Sequence, residues 1–160
     1  MIFVTVGSMF PFERMIRVMD DWASHHTDEE VVAQIGGGEY EPRHMRWQRI
    51  YTPDEYKTIV KSARILVAHA GTGSAFTASE YEKPVVLIPR RAAQKEHTTD
   101  HQLDTAKWLE GKPGIFVAWN DGDVAPQIER AGQAAGNLQS RIPLAAPQPF
   151  LDRIREFLVT

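Results

Sequence analysis

Short runs of apolar and β-branched residues recur along the chain at intervals that suit the strands of one sheet. Several runs, such as "VVLI", are apolar throughout instead of alternating with polar residues. Uninterrupted apolar runs are typical of strands that are covered on both faces. The predicted strands are residues 2–6, 31–35, 49–51 (the weakest), 65–68, 85–88 and 115–119.

Helix-compatible segments separate these runs. Thr52 is a predicted N-cap, since Pro53 follows it and Glu55 stands where a capping box needs an acid. The predicted helices are residues 12–24, 53–62, 74–81, 100–110 and 124–135. Strand alternating with helix predicts an α/β fold with a parallel sheet and helices on both faces.

The chain of 160 residues is most simply one domain. Its tail, "NLQSRIPLAAPQPF", holds three prolines and no periodicity, which predicts a surface loop before a short final helix at 150–158. Residues 136–160 are therefore interpreted as a loop and a C-terminal helix. The first residues read as a strand, not a signal peptide, and no apolar stretch reaches the ~20 residues that span a bilayer.

Composition excludes some classes of function. With no Cys there is no disulfide framework and no thiolate metal site, and the absence favours the cytoplasm. The chain carries 18 Lys and Arg against 21 Asp and Glu, a formal charge of −3, which argues against a nucleic-acid partner. Any bound anion must be held by a local arrangement of groups.

In a parallel sheet of this kind, ligands bind beyond the carboxyl ends of the strands. The loops expected there are residues 7–11, 36–40, 69–73, 89–99 and 119–123. In the third loop, "HAGTGS", Gly71 and Gly73 allow close backbone approach before a helix whose N-terminus attracts phosphate. The motif predicts a diphosphate site. The alternative is a tight turn without a ligand, because Phe76 stands where a dinucleotide fingerprint has its third glycine.

The loop "PRRAAQKEHTTDHQ" is dense in functional groups. It would ordinarily be interpreted as a solvated charged loop, but it follows a buried strand on the expected ligand side. Its arginines suit phosphate or carboxylate binding. His97, Asp100 and His101 at helical spacing are an alternative set of metal ligands. "DGD" at 121–123 is better explained as a turn and N-cap than as a metal site.

Taken together, "VTVGS", "PFERMI", "AQIG", "HAGTGS", "KPVVLIPR" and "EHTTDHQ" resemble the C-terminal, donor-binding domain of glycosyltransferase family 28. The resemblance covers roughly residues 1–120 in the right order. It is strongest to short single-domain members: bacterial exopolysaccharide glycosyltransferase subunits and the catalytic subunit of the two-part N-acetylglucosaminyltransferase of lipid-linked oligosaccharide synthesis. It implies a Rossmann-like fold, equivalent to the C-terminal half of a GT-B enzyme, and a single UDP-sugar-binding domain.

The resemblance also implies roles for individual residues. The donor-binding residues it implies are Gly7, Ser8, His69, Gly71, Gly73, Ser74, Thr77, Arg90, His101 and Gln102. Glu96 and His97 match a Glu-His pair of the subgroup and are the candidate catalytic residues, although the base is allowed to lie on a partner. Thr77 stands where the family often has a ribose-binding Glu, with Glu80 one turn later as the alternative. Glu82 replaces a glycine of the family.

The implied activity is inverting transfer of a hexosyl or glucuronosyl group from a UDP-sugar to a lipid-linked saccharide in exopolysaccharide or polysaccharide synthesis. No cofactor and no metal are expected. A membrane-associated subunit is expected to supply the acceptor site and to hold the chain, otherwise cytoplasmic, at the inner face of the membrane. The alternatives are a non-catalytic nucleotide-sugar-binding or regulatory subunit, and a metal-dependent hydrolase that uses His97, Asp100 and His101.

Overall fold

A computed structural model describes residues 1–136 of the chain. Six parallel strands form one sheet in the order β3-β2-β1-β4-β5-β6. The strands are β1 (Ile2–Thr5), β2 (Val31–Gln34), β3 (Arg46–Gln48), β4 (Ile65–His69), β5 (Val85–Ile88) and β6 (Ile115–Val117). The chain starts in the middle of the sheet, extends it to one edge through β3, and then fills the other side. The α/β fold with a parallel sheet is confirmed.

The described residues form five α-helices, of which the first four connect strands and the last follows β6: α1 (Glu13–His25), α2 (Pro53–Ser62), α3 (Thr72–Glu80), α4 (His101–Leu109) and α5 (Val124–Ala134). The predicted capping box of α2 is present, since the Glu55 N–H donates to Thr52 Oγ1 and the Glu55 carboxylate accepts from the Thr52 N–H. "DGD" forms a short 3-10 turn before α5, in which the Asn120 N–H donates to the Asp123 carboxylate at 2.8 Å.

The core has two layers, one on each face of the sheet. Alternate β1 side chains divide between them: Ile2 and Val4 belong to one cluster and Phe3 to the other. The first cluster contains residues of α1 and α5, and the second contains residues of α2, α3 and α4. Helices therefore cover both faces, which explains why the central strands are apolar throughout.

The structure corrects the weakest strand. Residues 49–51 are not a strand; β3 is Arg46–Gln48, which pairs with β2. Arg46 and Gln48 are exposed and Trp47 is half-buried, because β3 is an edge strand. A short polar edge strand has no apolar run by which sequence periodicity could detect it.

Other boundaries differ from prediction by one or two residues. Helix α3 begins at Thr72 instead of Ser74, because Gly71 is the N-cap and Gly73 is already helical. Strand β6 ends at Val117, two residues before the predicted end. The predicted loop and helix within 137–160 lie outside the described residues. No helix among residues 1–136 is long and apolar enough to cross a bilayer.

Candidate functional site

The carboxyl ends of the strands border one cavity of about 860 Å³. Its floor is formed where β1 and β4 end, and residues of α2, α3 and α4 complete its walls. All ten predicted donor-binding residues line it: Gly7, Ser8, His69, Gly71, Gly73, Ser74, Thr77, Arg90, His101 and Gln102. His97 also lines the cavity, whereas Glu96 does not. Residues separated by up to about a hundred positions thus meet at one site.

His69, the last residue of β4, lies between two glycines. A Cβ atom on Gly71 would lie 2.5 Å from His69 Nε2, and one on Gly7 would lie 2.6 Å from His69 Cε1. Gly7 also has φ of +79°, a conformation that side chains with a Cβ rarely adopt. The two loops therefore approach the imidazole this closely only because neither residue has a side chain.

The imidazole of His69 is neutral at physiological pH. Burial, together with the positive charge of Arg90, lowers the pKa of His69 to about 4. Ser74 Oγ lies 3.5 Å from His69 Nδ1. A neutral ring offers one donor and one acceptor, and part of this capacity is used by the Thr5 backbone and by Ser74.

The N-terminus of α3 opens into the same cavity. Thr72, Gly73 and Ser74, the first three residues of the helix, all line it. The N-cap is Gly71, which has no side chain to satisfy the first N–H groups. An anion in the cavity can therefore accept these hydrogen bonds and interact favourably with the positive end of the helix dipole.

Arg90 follows β5 and is 2% exposed. Its guanidinium donates to four backbone carbonyls: Val6 at 2.7 Å, Phe10 at 2.7 Å, Pro11 at 2.5 Å and Glu96 at 3.1 Å. Burial lowers the pKa of Arg90 to about 10 and leaves the group charged. Arg90 therefore ties the loop after β1 to the loop after β5, and the four N–H groups of its Nη1 and Nη2 donate to protein oxygens.

Glu96 lies beside this tie and outside the cavity. Its carboxylate accepts from Arg14 Nε at 2.7 Å and from the Arg91 N–H at 2.9 Å, and its side chain is only 9% exposed. Arg14 also pairs with Asp121 at 2.7 Å. The structure thus places this candidate catalytic carboxylate in an ion pair that braces its loop against α1.

His97 and His101 form a pair at the cavity wall, with ring centroids 4.4 Å apart. Asp100 is the third residue of the alternative metal set, and its Oδ1 accepts a hydrogen bond from the Ala92 N–H at 2.8 Å. Within residues 1–136, no group of three or more His, Asp or Glu side chains is arranged to hold a metal ion. The alternative of a hydrolase metal site at His97, Asp100 and His101 has no geometric support.

Thr77 and Glu80 are one turn apart on α3, and both line the cavity. Gln102 is 4% exposed, and its Oε1 accepts from the Arg90 N–H at 3.2 Å. This bond places the side chain of Gln102 at the junction of β5 and α4, next to the cavity. Part of the hydrogen-bonding capacity of Gln102 is therefore used to hold the site together.

Sequence reasoning missed several residues that line the cavity, among them Gln34, Tyr51, Tyr56 and Lys57. Gln34 ends β2, donates from Nε2 to the Gly7 carbonyl at 3.2 Å and accepts from the Tyr51 N–H at 3.4 Å. Gln34 could have been predicted as a cavity residue from its position at the carboxyl end of a strand. The other three follow the edge strand that the hydrophobic pattern misplaced.

Two of the five expected loops lie outside the cavity. In the loop after β2, the N–H groups of Glu39 and Tyr40 donate to the Glu13 carboxylate of α1. In the loop after β6, the carbonyl of Trp119 accepts from the Arg91 guanidinium. Both loops are used for structural contacts, and among the five expected loops only those after β1, β4 and β5 line the cavity.

The architecture is that of a Rossmann-like α/β domain with its ligand cavity at the strand ends. A family model described as the glycosyltransferase family 28 C-terminal domain matches residues 1–112. The chain therefore belongs to that family, as a donor-binding glycosyltransferase domain. No curated protein matches the chain significantly.

Comparison with solved structures shows that this chain has the fold of the C-terminal halves of GT-B enzymes. The glycosyltransferase SnogD from Streptomyces nogalater has a TM-score of 0.55 and 23% identity, over 84% of this chain and 35% of its own. The calicheamicin glycosyltransferase CalG4 has a TM-score of 0.60 and 18% identity, over 99% of this chain and 43% of its own. Acinetobacter baumannii MurG has a TM-score of 0.57 and 15% identity, over 96% of this chain and 49% of its own. The chain thus spans about a third to a half of these structures.

Proposed function

We propose that the chain binds a UDP-sugar in the cavity and is the donor-binding part of an inverting glycosyltransferase. The observation that carries the proposal is the meeting of the α3 N-terminus, neutral His69 and the two close-approach glycines at one site. Backbone N–H groups and a helix dipole suit a diphosphate. Membership of family 28 supports the proposal that this diphosphate is part of a nucleotide-sugar.

In the proposed reaction, an acceptor hydroxyl attacks the anomeric carbon from the side opposite the diphosphate. The bond between that carbon and the β-phosphate oxygen breaks, and UDP leaves with the bonding electrons. The hydroxyl proton passes to a general base. The N-terminus of α3 stabilises the charge that develops on the leaving diphosphate, and this requires no metal ion.

We propose a neutral hexosyl donor in preference to a uronic acid. A uronic acid would call for a guanidinium to pair with its carboxylate. The Arg90 guanidinium donates to four backbone carbonyls. Arg91 is not among the residues that line the cavity, and its Nη2 donates to Trp119 O and Asn120 Oδ1. Arg90 is thus committed to protein oxygens, and Arg91 lies outside the cavity.

We further propose that a membrane-associated subunit supplies the acceptor site, so that the chain works at the inner face of the membrane in exopolysaccharide synthesis. Large apolar side chains at the cavity support a partner surface: Met9 is 80% exposed and Phe10 36% exposed, and both line the cavity. Exposed apolar groups around a site are typical of a surface that another chain covers. The lipid-linked saccharide would then be bound by the partner.

Titration calorimetry of the purified chain with UDP, with and without EDTA, tests the donor site. We expect binding that EDTA does not change and that Gly73→Asp weakens, because the new carboxylate would lie at the α3 N-terminus. Gly73→Ala is the matched control, since a Cβ there meets no atom within 4 Å. Equal affinities for the two variants would contradict the proposed diphosphate position.

Reconstitution with the acceptor subunit tests catalysis. Transfer from a UDP-hexose to a lipid-linked saccharide on mixing supports the enzyme. UDP binding without transfer in any complex would instead identify a non-catalytic nucleotide-sugar-binding or regulatory subunit.

A further inference from the structure

His97 lies where the loops after β1 and β5 meet at the cavity. Its ring contacts the edge of Phe10 at 5.1 Å between centroids and that of His101 at 4.4 Å. His97 and His69 both line this cavity, together with the first residues of α3. A ligand that fills the cavity can therefore contact both imidazoles.

The hydrogen bonding of His97 determines which ring nitrogen carries the proton. Nδ1 accepts from the Thr99 backbone N–H at 3.2 Å. A backbone N–H can only donate, so Nδ1 must present its lone pair, and the proton of the neutral ring is on Nε2. Burial and the positive charges of His101 and Arg90 lower the pKa of His97, which keeps the ring neutral near pH 7.

We propose that His97 is a hydrogen-bond donor to the diphosphate through Nε2–H and not the general base of transfer. This inference rests on the proposed function. A base needs a free lone pair directed at the acceptor hydroxyl, but the Nδ1 lone pair is used by Thr99 and Nε2 already carries a proton. His97 keeps its proton throughout: the diphosphate oxygen gains charge as the sugar bond breaks, and the Nε2–H bond to it strengthens.

The loop around His97 is held in place before any ligand binds. The Glu96 carbonyl accepts from Arg90, and the Glu96 carboxylate accepts from Arg14 and the Arg91 N–H. These bonds fix the residue immediately before His97. A donor that is fixed in advance stabilises developing charge without the cost of reorganisation. The general base is accordingly assigned to the acceptor-binding part.

Long-range ¹H–¹⁵N NMR of the histidines in the full chain, without and with UDP, tests the proposal. We expect the His97 signals to show a bare Nδ1 and a protonated Nε2, and the Nε2–H signal to shift on UDP addition. A proton on Nδ1 would overturn the proposal. If UDP shifts the amide signals of Gly71 and Gly73 but not His97, this proposal alone fails. If UDP shifts none of them, the proposed function fails as well.

A matched pair of variants adds a functional readout. The amide nitrogen of Gln lies near the position of His Nε2, and that of Asn lies near Nδ1. We expect His97→Gln to keep UDP affinity near the parent value and His97→Asn to weaken it by about tenfold or more, the loss expected for a hydrogen bond to a charged group. In the reconstituted complex, transfer should follow the same order. Loss of transfer in both variants with UDP affinity intact would indicate a base and refute the proposal.

Discussion

Adding a single methyl group at Gly71 should destabilise the fold through one identifiable contact. The new Cβ would lie 2.5 Å from His69 Nε2 and 2.9 Å from Cδ2, closer than real Cβ atoms approach. Gly71 has φ of −95°, which alanine adopts readily, so the backbone itself is not strained by the change. The expected penalty therefore arises from the imidazole.

The size of the penalty depends on whether His69 can move away. Gly7 also approaches the ring so closely that a Cβ there would lie 2.6 Å from Cε1. Because both loops are already in close contact with the ring, we expect an overpacking cost of about 1–3 kcal/mol for Gly71→Ala. A further cost of several tenths of a kcal/mol comes from replacing glycine by alanine at an N-cap.

Urea denaturation of a double-mutant cycle separates these two costs. Gly71→Ala is measured in the parent chain and in His69→Ala, in which the ring is absent, while the N-cap cost is common to both backgrounds. We expect most of the loss to disappear in His69→Ala. Gly73→Ala is the matched control and should stabilise α3 by up to about 1 kcal/mol, because no atom obstructs it. An equal loss for Gly71→Ala in both backgrounds would refute the reasoning.

Three other predictions concern the same region. The pKa of His69 is about 4 in the folded chain, against an ordinary value of 6.5. Below pH 6.5 the unfolded chain therefore binds a proton that the folded chain does not. The contribution of His69 to the unfolding free energy should be constant above pH 6.5 and fall by about 2 kcal/mol by pH 5. His69→Asn should flatten that part of the pH profile, and identical profiles for variant and parent would contradict the assignment. Arg90→Lys should cost about 2–4 kcal/mol in urea denaturation, because an ammonium cannot reach four carbonyls as a planar fork does, and a loss confined to UDP affinity would instead indicate direct ligand contact. Lys95 has φ of +59°, so Lys95→Gly should raise the unfolding free energy by up to about 1 kcal/mol, and a decrease in the melting temperature would be the opposite result.

The motifs that resemble the glycosyltransferase family are short stretches of sequence, and most of the strands and helices were also predicted from local patterns. The central strands could be predicted because each is buried on both faces and must be apolar along its whole length. The start of α2 could be predicted because the capping residues Thr52 and Glu55 are three positions apart. The cavity-facing glycines could be predicted because "HAGTGS" joins a buried strand to a helix within a few residues.

Roles that depend on distant partners could not be predicted in the same way. From the sequence, Arg90 is a cation available to an anion. In the fold, it donates to the carbonyls of Val6, Phe10 and Pro11, which lie 79 to 84 positions earlier in the chain. From the sequence, Glu96 is a candidate catalytic residue. In the fold, its carboxylate pairs with Arg14 of α1, which lies 82 positions earlier in the chain. Tyr51, Tyr56 and Lys57 join the cavity because the polar edge strand β3 positions the segment that follows it.

The sequence by itself therefore determined the layered α/β architecture, the family and the glycine-rich turn after β4, because these depend on burial patterns and on residues close together in the chain. Only the tertiary structure decided which charged groups are free. A guanidinium or carboxylate is neutralised by whatever the fold brings against it, and hydrogen-bond partners from other strands determine this. The same reason makes His97 a proton-bearing donor in this structure, because folding its loop directs the Thr99 N–H onto Nδ1.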